Sequence, residues 1–211
     1  MRWARTSSPV ARVVVLAFVL IGGALAAIVV VPGGTTAVRG GPWWTAVLIT
    51  CGFAVAERAV FHVEHRREAI TVSISEVPTL FALLFLDLRV AIAARIVGGM
   101  VSVWSGRRPP MYKLLFNVGL FAFETAIAGL VIRALLRSTD GSITWQLTIG
   151  VLTVGVMTAV GSIAVSAAIA QFEGGFIAKA AAELTSTAWV FALNASIAGL
   201  IVSPALVAPW L

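Results

Sequence analysis

The sequence is poorest in the residues that water-soluble proteins use to clothe themselves. Only 11% of its residues are charged, against about a quarter in a typical soluble domain. With 60% hydrophobic residues and a mean hydropathy of +1.02, the chain cannot present a continuous water-facing surface, so lipid must cover most of it. A single cysteine, Cys51, excludes an internal disulfide framework. It lies inside the apolar run TAVLITCGFAVA and reads as a small packing residue. There is no Walker loop, GxSxG elbow, CxxC pair or Ser–His–Asp pattern. The sequence therefore offers no catalytic residues and no cofactor, and it is not read as an enzyme. No low-complexity segment or solenoid repeat stands out. The net charge is +6, but no basic stripe is interleaved with aromatics. The cations cluster at the ends of apolar runs, where they set topology and meet anionic headgroups. Nucleic acid is excluded as a partner, and the lipid bilayer is the expected one.

What the chain has is long apolar runs, and a spanning helix needs about 20 such residues. Runs cover residues 10–31, 43–61, 114–136, 143–170 and 184–202. Between them VPTLFALLFL and VAIAARIVGGMVSVW flank Asp87-Leu88-Arg89, as one broken span or two short ones. Two short spans make seven; six is the alternative. With seven and the N-terminus inside, the inner side carries Arg2, Arg5, Arg12, Arg58, Arg66, Arg67, Arg107, Arg108, Lys113 and Lys179. The outer side keeps Arg39, Arg133 and Arg137, so the basic residues divide ten against three. The positive-inside rule selects that arrangement. The expectation is an all-α polytopic bundle of about seven spans, two of them short. It is multi-pass in the inner (plasma) membrane, with a cytoplasmic N-terminus. Residues 1–211 read as one transmembrane domain, and the ending APWL reads as the start of a further span.

Two constellations could carry chemistry. The first is a cytoplasmic elbow of Glu57, Arg58, His62, Glu64, His65, Arg66, Arg67, Glu68, Ser73, Ser75, Glu76 and Pro78. If the second span continues as a helix, Arg58, His62, His65 and Glu68 or Ala69 share one face. Two histidines beside carboxylates suggest a metal, but the spacing is not HExxH and three clean ligands are lacking. A charged headgroup anchor, with local pairs such as Glu64–Arg67, is the expected role, and no metal is assigned. Ser75-Glu76-Val77-Pro78 reads as a helix start, with Ser75 as N-cap and Pro78 at the third helical position, where its missing N–H costs nothing. The other reading is a Ser73-x-x-Glu76 capping box.

The second constellation lies at bilayer depth. Glu124 follows Lys113 by 11 residues, a depth of roughly 16 Å. Arg95 precedes Trp104 by 9, roughly 13 Å from the same side. Asn194 lands at a similar level, 11 residues past Glu183. Asn117 and Lys113 extend the Glu124 stripe. Intramembrane charges turn inward to a partner or a cavity. Arg95, Asn117, Glu124 and Asn194 are thus either a structural pair that fixes helix register or the polar lining of a small-molecule site. Gly150, Gly155, Gly161, Ser162 and Ser166 of the sixth run permit close helix approach.

The stretch ERAVFHVEHRREAITVSISEVPTLFALLFL, followed by GRRPPMYKLLFNVGLFAFE, resembles the N-terminal multi-span region of actinobacterial signalling proteins with cytoplasmic GGDEF or GGDEF–EAL domains. Those regions carry an acid–Arg pair, an HFRREAHSFSLSEIP-like elbow and a KLxFNxxxFxxE-like helix. The matching residues here are Glu57-Arg58, His62, Arg66-Arg67-Glu68-Ala69, Ser73, Ser75-Glu76-Val77-Pro78, Lys113, Phe116-Asn117 and Glu124, with Asn194 and Ser196 beyond. The likeness covers roughly residues 43–200. Glu64 stands where an apolar residue is expected, and Ile70-Thr71 replaces a His-Ser. No GGDEF or EAL sequence is present, so this chain cannot itself make or break cyclic di-GMP. The resemblance implies a membrane-embedded sensory or anchoring module ahead of a cytoplasmic output domain, a homodimer formed through the full-length protein, and a ligand of unknown identity. The alternative is a small transporter, or the substrate-binding subunit of one. It would line a solvent-accessible cavity with Glu124, Arg95 and Asn194.

Overall fold

In lipid every backbone N–H and C=O must be satisfied within the chain, and helices do this locally. The apolar runs accordingly become helices. The computed structural model describes residues 8–30, 41–59, 61–65, 68–72, 75–105, 109–138, 142–176, 192 and 195–200. The helices are α1 (Pro9–Val30), α2 (Trp43–Arg58), α3 (Glu76–Phe85), α4 (Leu88–Ser105), α5 (Met111–Arg137) and α6 (Ile143–Glu173). Between α2 and α3 lies a small antiparallel ribbon, β1 (Phe61–His65) with β2 (Glu68–Val72), which sets Phe61 opposite Val72 and His65 opposite Glu68.

Four helices are long and apolar enough to cross a membrane, within Pro9–Val30, Leu88–Ser105, Met111–Arg137 and Thr144–Glu173. The molecule is a membrane protein on that ground. The seven-span expectation is met only in part. Helix α2 has 16 residues and α3 has 10, about 24 and 15 Å of helix, against an apolar bilayer core of about 30 Å. Of the expected last span at 184–202, residues 192 and 195–200 alone are described; Ala195 and Ala198 are buried. Asn194 and the cations Arg2, Arg5, Arg39, Arg66, Arg67, Arg107, Arg108 and Lys179 fall outside the described residues.

The helices alternate in direction. A Cβ on Gly119 of α5 would meet Ala17 of α1, and one on Gly23 would meet Phe123. Contacts that ascend together on both chains mean that α1 and α5 run parallel. Gly98 faces Thr50 and Phe53, and Arg58 bonds Ser105, so α2 and α4 are also parallel. Phe121 meets Gly99 while Leu88 meets Gly129, so α4 and α5 are antiparallel. Glu124 meets Gly161 and Tyr112 meets Phe172, so α6 is antiparallel to α5. The first turns of α1 and α5 and the last turns of α2, α4 and α6 therefore gather at one end, next to the ribbon.

Three apolar clusters join these helices. The largest includes Leu83, Leu88, Ile132, Ile149 and Val154. A second joins Val13, Ala17 and Leu20 to Phe116 and Leu120. The third joins Ile49 and Phe53 to Ala82, Ala91 and Ala94. Buried threonines donate to the carbonyl four residues back, as in Thr125 to Phe121 at 2.7 Å and Thr153 to Ile149 at 2.7 Å. No hydroxyl hydrogen is then wasted on hydrocarbon.

The elbow departs from its expected form. Helix α2 stops at Arg58, and Ala59 leaves helical space at φ −79°, ψ 59°. Positions 62 and 65 sit in a strand, so the shared helical face of Arg58, His62, His65 and Glu68 does not form. The β-branched run Ile70-Thr71-Val72 loses rotamer freedom in a helix and favours a pleated pairing. Helix α3 does begin at Glu76, which leaves Pro78 at the third position. Ser75, however, is itself helical at φ −66°, ψ −14° and makes no side-chain capping bond. Its carbonyl does the work instead, accepting from Thr79 N at 3.2 Å and Thr79 Oγ1 at 2.8 Å. Cys51 is exposed on α2 and not packed inside.

Candidate functional site

Constant helical rise puts Arg95 and Glu124 at one depth, and the antiparallel contact of α4 with α5 turns them toward each other. Arg95 Nη2 lies 3.6 Å from Glu124 Oε2 and 3.4 Å from Glu57 Oε1. Arg95 Nη1 donates to the Ser75 carbonyl at 3.3 Å. The guanidinium carbon sits 5.0 Å from the ring centroids of both Phe53 and Phe121, within range of a cation–π attraction on each face. Arg95 is 3% exposed and Glu124 8%, so the group is desolvated by protein. Glu57 and Glu76 both lie close enough to Glu124 to interact with it electrostatically. One cation thus links four elements: α2 through Glu57, the start of α3 through Ser75, its own α4, and α5 through Glu124.

The contacts are long for this chemistry. Charge-assisted N–H···O bonds settle at about 2.7–2.9 Å, and all three here exceed that. Arg95 is shared among acceptors, with no single tight bidentate pair. Its Nε finds no hydrogen-bond partner among the described residues. Gly161 makes room for the Glu124 carboxylate, since a Cβ there would run into Oε1.

Beside this charge cluster lies a cleft of about 710 Å³, between the first turns of α1 and α5 and the last turns of α2, α4 and α6. Val13, Phe116, Val165, Ala168, Ile169 and Phe172 give it apolar walls, and Glu57, Ser102, Tyr112, Lys113, Asn117 and Glu173 supply polar groups. Neither Arg95 nor Glu124 lines it. Glu57 belongs to both the cleft and the charge cluster.

Several sequence-identified residues come together here and others do not. Arg95, Glu124 and Glu57 converge, whereas Asn117 and Lys113 face the cleft. Arg58 donates to the Ser105 hydroxyl. His62, His65 and Glu68 lie in the ribbon, where only the backbone is described, and Arg66, Arg67 and Asn194 lie outside the described residues. No group of three or more His, Cys, Asp or Glu residues able to hold a metal occurs among the described residues. Sequence reasoning placed Glu57 in the elbow and missed it as a partner of Arg95. It also missed the aromatic cleft wall and the burial of Arg133. Arg133 is 7% exposed and donates to the Gly129 carbonyl at 3.2 Å.

Comparison with family models, with curated proteins and with solved structures finds no match for this chain.

Proposed function

We propose that the protein is a membrane-embedded sensory and anchoring module of a bacterial signal-transduction protein. It would cross the plasma membrane seven times with its N-terminus in the cytoplasm, so that an output domain in the cytoplasm would follow only after one more crossing. The observation that carries this reading is the double membership of Glu57. A ligand that enters the cleft and displaces Glu57 withdraws one acceptor from Arg95. The guanidinium then shifts toward Glu124 and the Ser75 carbonyl, and the start of α3 and the α4–α5 contact readjust. Long, shared contacts suit such an exchange, because no partner holds Arg95 in a deep well. The resemblance of the elbow and the fifth helix to GGDEF-associated membrane regions supports the placement in signalling. The transporter reading has less support, since the cleft is not lined by Arg95 or Glu124.

Spin labels at the exposed positions Val101 and Ile163, on α4 and α6, in a Cys51→Ser background test the exchange. Glu57→Gln weakens the hold on Arg95 without changing volume, and it is expected to shift the distance distribution between the labels. An unchanged distribution would remove the coupling on which the sensor reading rests.

A further inference from the structure

The cleft carries its own chemical signature. Lys113 and Asn117 stand one turn apart on α5 and both line it, as does Tyr112. Among the described residues, none hydrogen-bonds or ion-pairs with the side chains of these three. The ammonium, the amide and the phenol are all donors. They sit in the first two turns of α5, where the unpaired N–H groups of the helix start add positive potential. The two carboxylates that share the cleft are otherwise occupied. Glu57 pairs with Arg95, and Glu173 is engaged in an interaction of its own. Beyond the donors the walls are apolar and aromatic, running along α1 and α6 through Val13, Phe116, Val165 and Phe172.

We infer that the cleft binds a single-chain amphiphile with a carboxylate head, of the fatty-acid class. The ammonium of Lys113 and the amide of Asn117 hold the head, with the Tyr112 hydroxyl in support, and the tail lies on the apolar wall. Three features select this class. A carboxylate offers two oxygens with about four acceptor positions, enough for the ammonium of Lys113 and the amide of Asn117, one turn apart on the cleft wall. A volume of about 710 Å³ falls in the range of small-ligand pockets, about 300–1,000 Å³, and is too small for a whole two-chain lipid. The site opens at the end of the bundle where polar helix termini meet the apolar interior, the level at which such an amphiphile resides. This names the ligand of the sensor proposed above and rests on that reading only for its signalling consequence.

The test uses the full chain in phosphatidylcholine nanodiscs, with displacement of a fluorescent fatty acid as readout. Palmitate is expected to displace the probe, while hexadecanol, which keeps the chain and loses the charge, needs at least about tenfold more. Acetate, which keeps the head alone, should not displace it. Lys113→Met and Asn117→Leu should each weaken palmitate about tenfold, with unchanged thermal unfolding because neither side chain has a polar partner among the described residues. Hexadecanol binding as tightly as palmitate would overturn the inference, and so would Lys113→Met leaving palmitate unaffected. Displacement by acetate would move the ligand to small aqueous acids and overturn the amphiphile assignment. The Val101–Ile163 distance separates the two ideas. Palmitate bound with no change in distance defeats the sensor and keeps the ligand class. A change in distance produced by hexadecylamine, with no binding of palmitate, does the reverse.

Discussion

Arg95 is the residue on which the interior turns. Burying a guanidinium in an apolar bundle costs several kcal/mol unless its partners repay it. Here Glu57, Glu124, the Ser75 carbonyl and two aromatic faces share that role. Removing Arg95 strands two carboxylates. Arg95→Ala should therefore destabilise by about 3–5 kcal/mol, read from unfolding in detergent. Arg95→Ala with Glu124→Gln should recover part of that, and adding Glu57→Gln should recover more. If the single losses simply add, these residues are not partners. The depth of Arg95 and Glu124 was legible in the sequence because helical rise is constant. Glu57 was not, because its partnership depends on the lateral packing of α2 against α4 and on the reach of a long arginine side chain. The Ser75 cap failed for a local reason: the residue took helical angles and not the extended ones of a capping residue, and its side chain makes no capping bond.

At the scale of elements, close approach is set by absent side chains. Gly98 brings α4 so near α2 that a Cβ would overlap the Thr50 carbonyl and stand 2.6 Å from Phe53 Cβ. Backbone cannot yield as a side-chain tip does. Gly98→Ala should cost about 1–3 kcal/mol through overpacking and loosen the α2–α4 pair that carries Glu57 and Arg95. Gly22 has nothing within 4 Å of an added Cβ, so Gly22→Ala should be neutral or slightly stabilising. Thermal unfolding of the two variants side by side checks the contrast. The sequence marked glycines as permissive without saying which met a neighbour, because that depends on helix rotation. The elbow was misread for a related reason. Helical spacing put Arg58, His62 and His65 on one stripe, but the extended preference of Ile70, Thr71 and Val72 prevailed. A ribbon also gives the two histidines no common helical face. His62→Ala and His65→Ala should leave metal content unchanged, and elemental analysis finding near-stoichiometric zinc lost in both variants would contradict this.

For the whole molecule, the parallel and antiparallel contacts put the ends of α2 and α4 and the start of α5 together. The ribbon and the 106–110 connection should therefore label from the same side of the membrane. Single cysteines at positions 70 and 108, in a Cys51→Ser background, should react with an impermeant maleimide from one face only. Reaction from opposite faces would defeat the proposed seven-crossing topology. Membrane class and the approximate placement of the long helices could be read from hydropathy, which is a property of local runs. The cleft could not, since it is made by five helices separated by up to about 160 positions in the chain, from Val13 to Phe172. Only the packing of α1 alongside α5 and α6 brings its walls together.

The shortness of α3 bears on how the protein is made. Ten residues are about half of what a helix needs to leave the insertion machinery for lipid unaided, and its first turn carries an acidic residue, Glu76. Its N-terminal partner, Arg95, emerges from the ribosome about 20 residues later. Helix α3 must therefore wait at the interface until α4 has entered, then be drawn in against α4 and α5 as a late step in biogenesis. A glycosylation reporter placed after α3 should remain on the side of synthesis when the chain stops at residue 87, and cross when α4 and α5 are present.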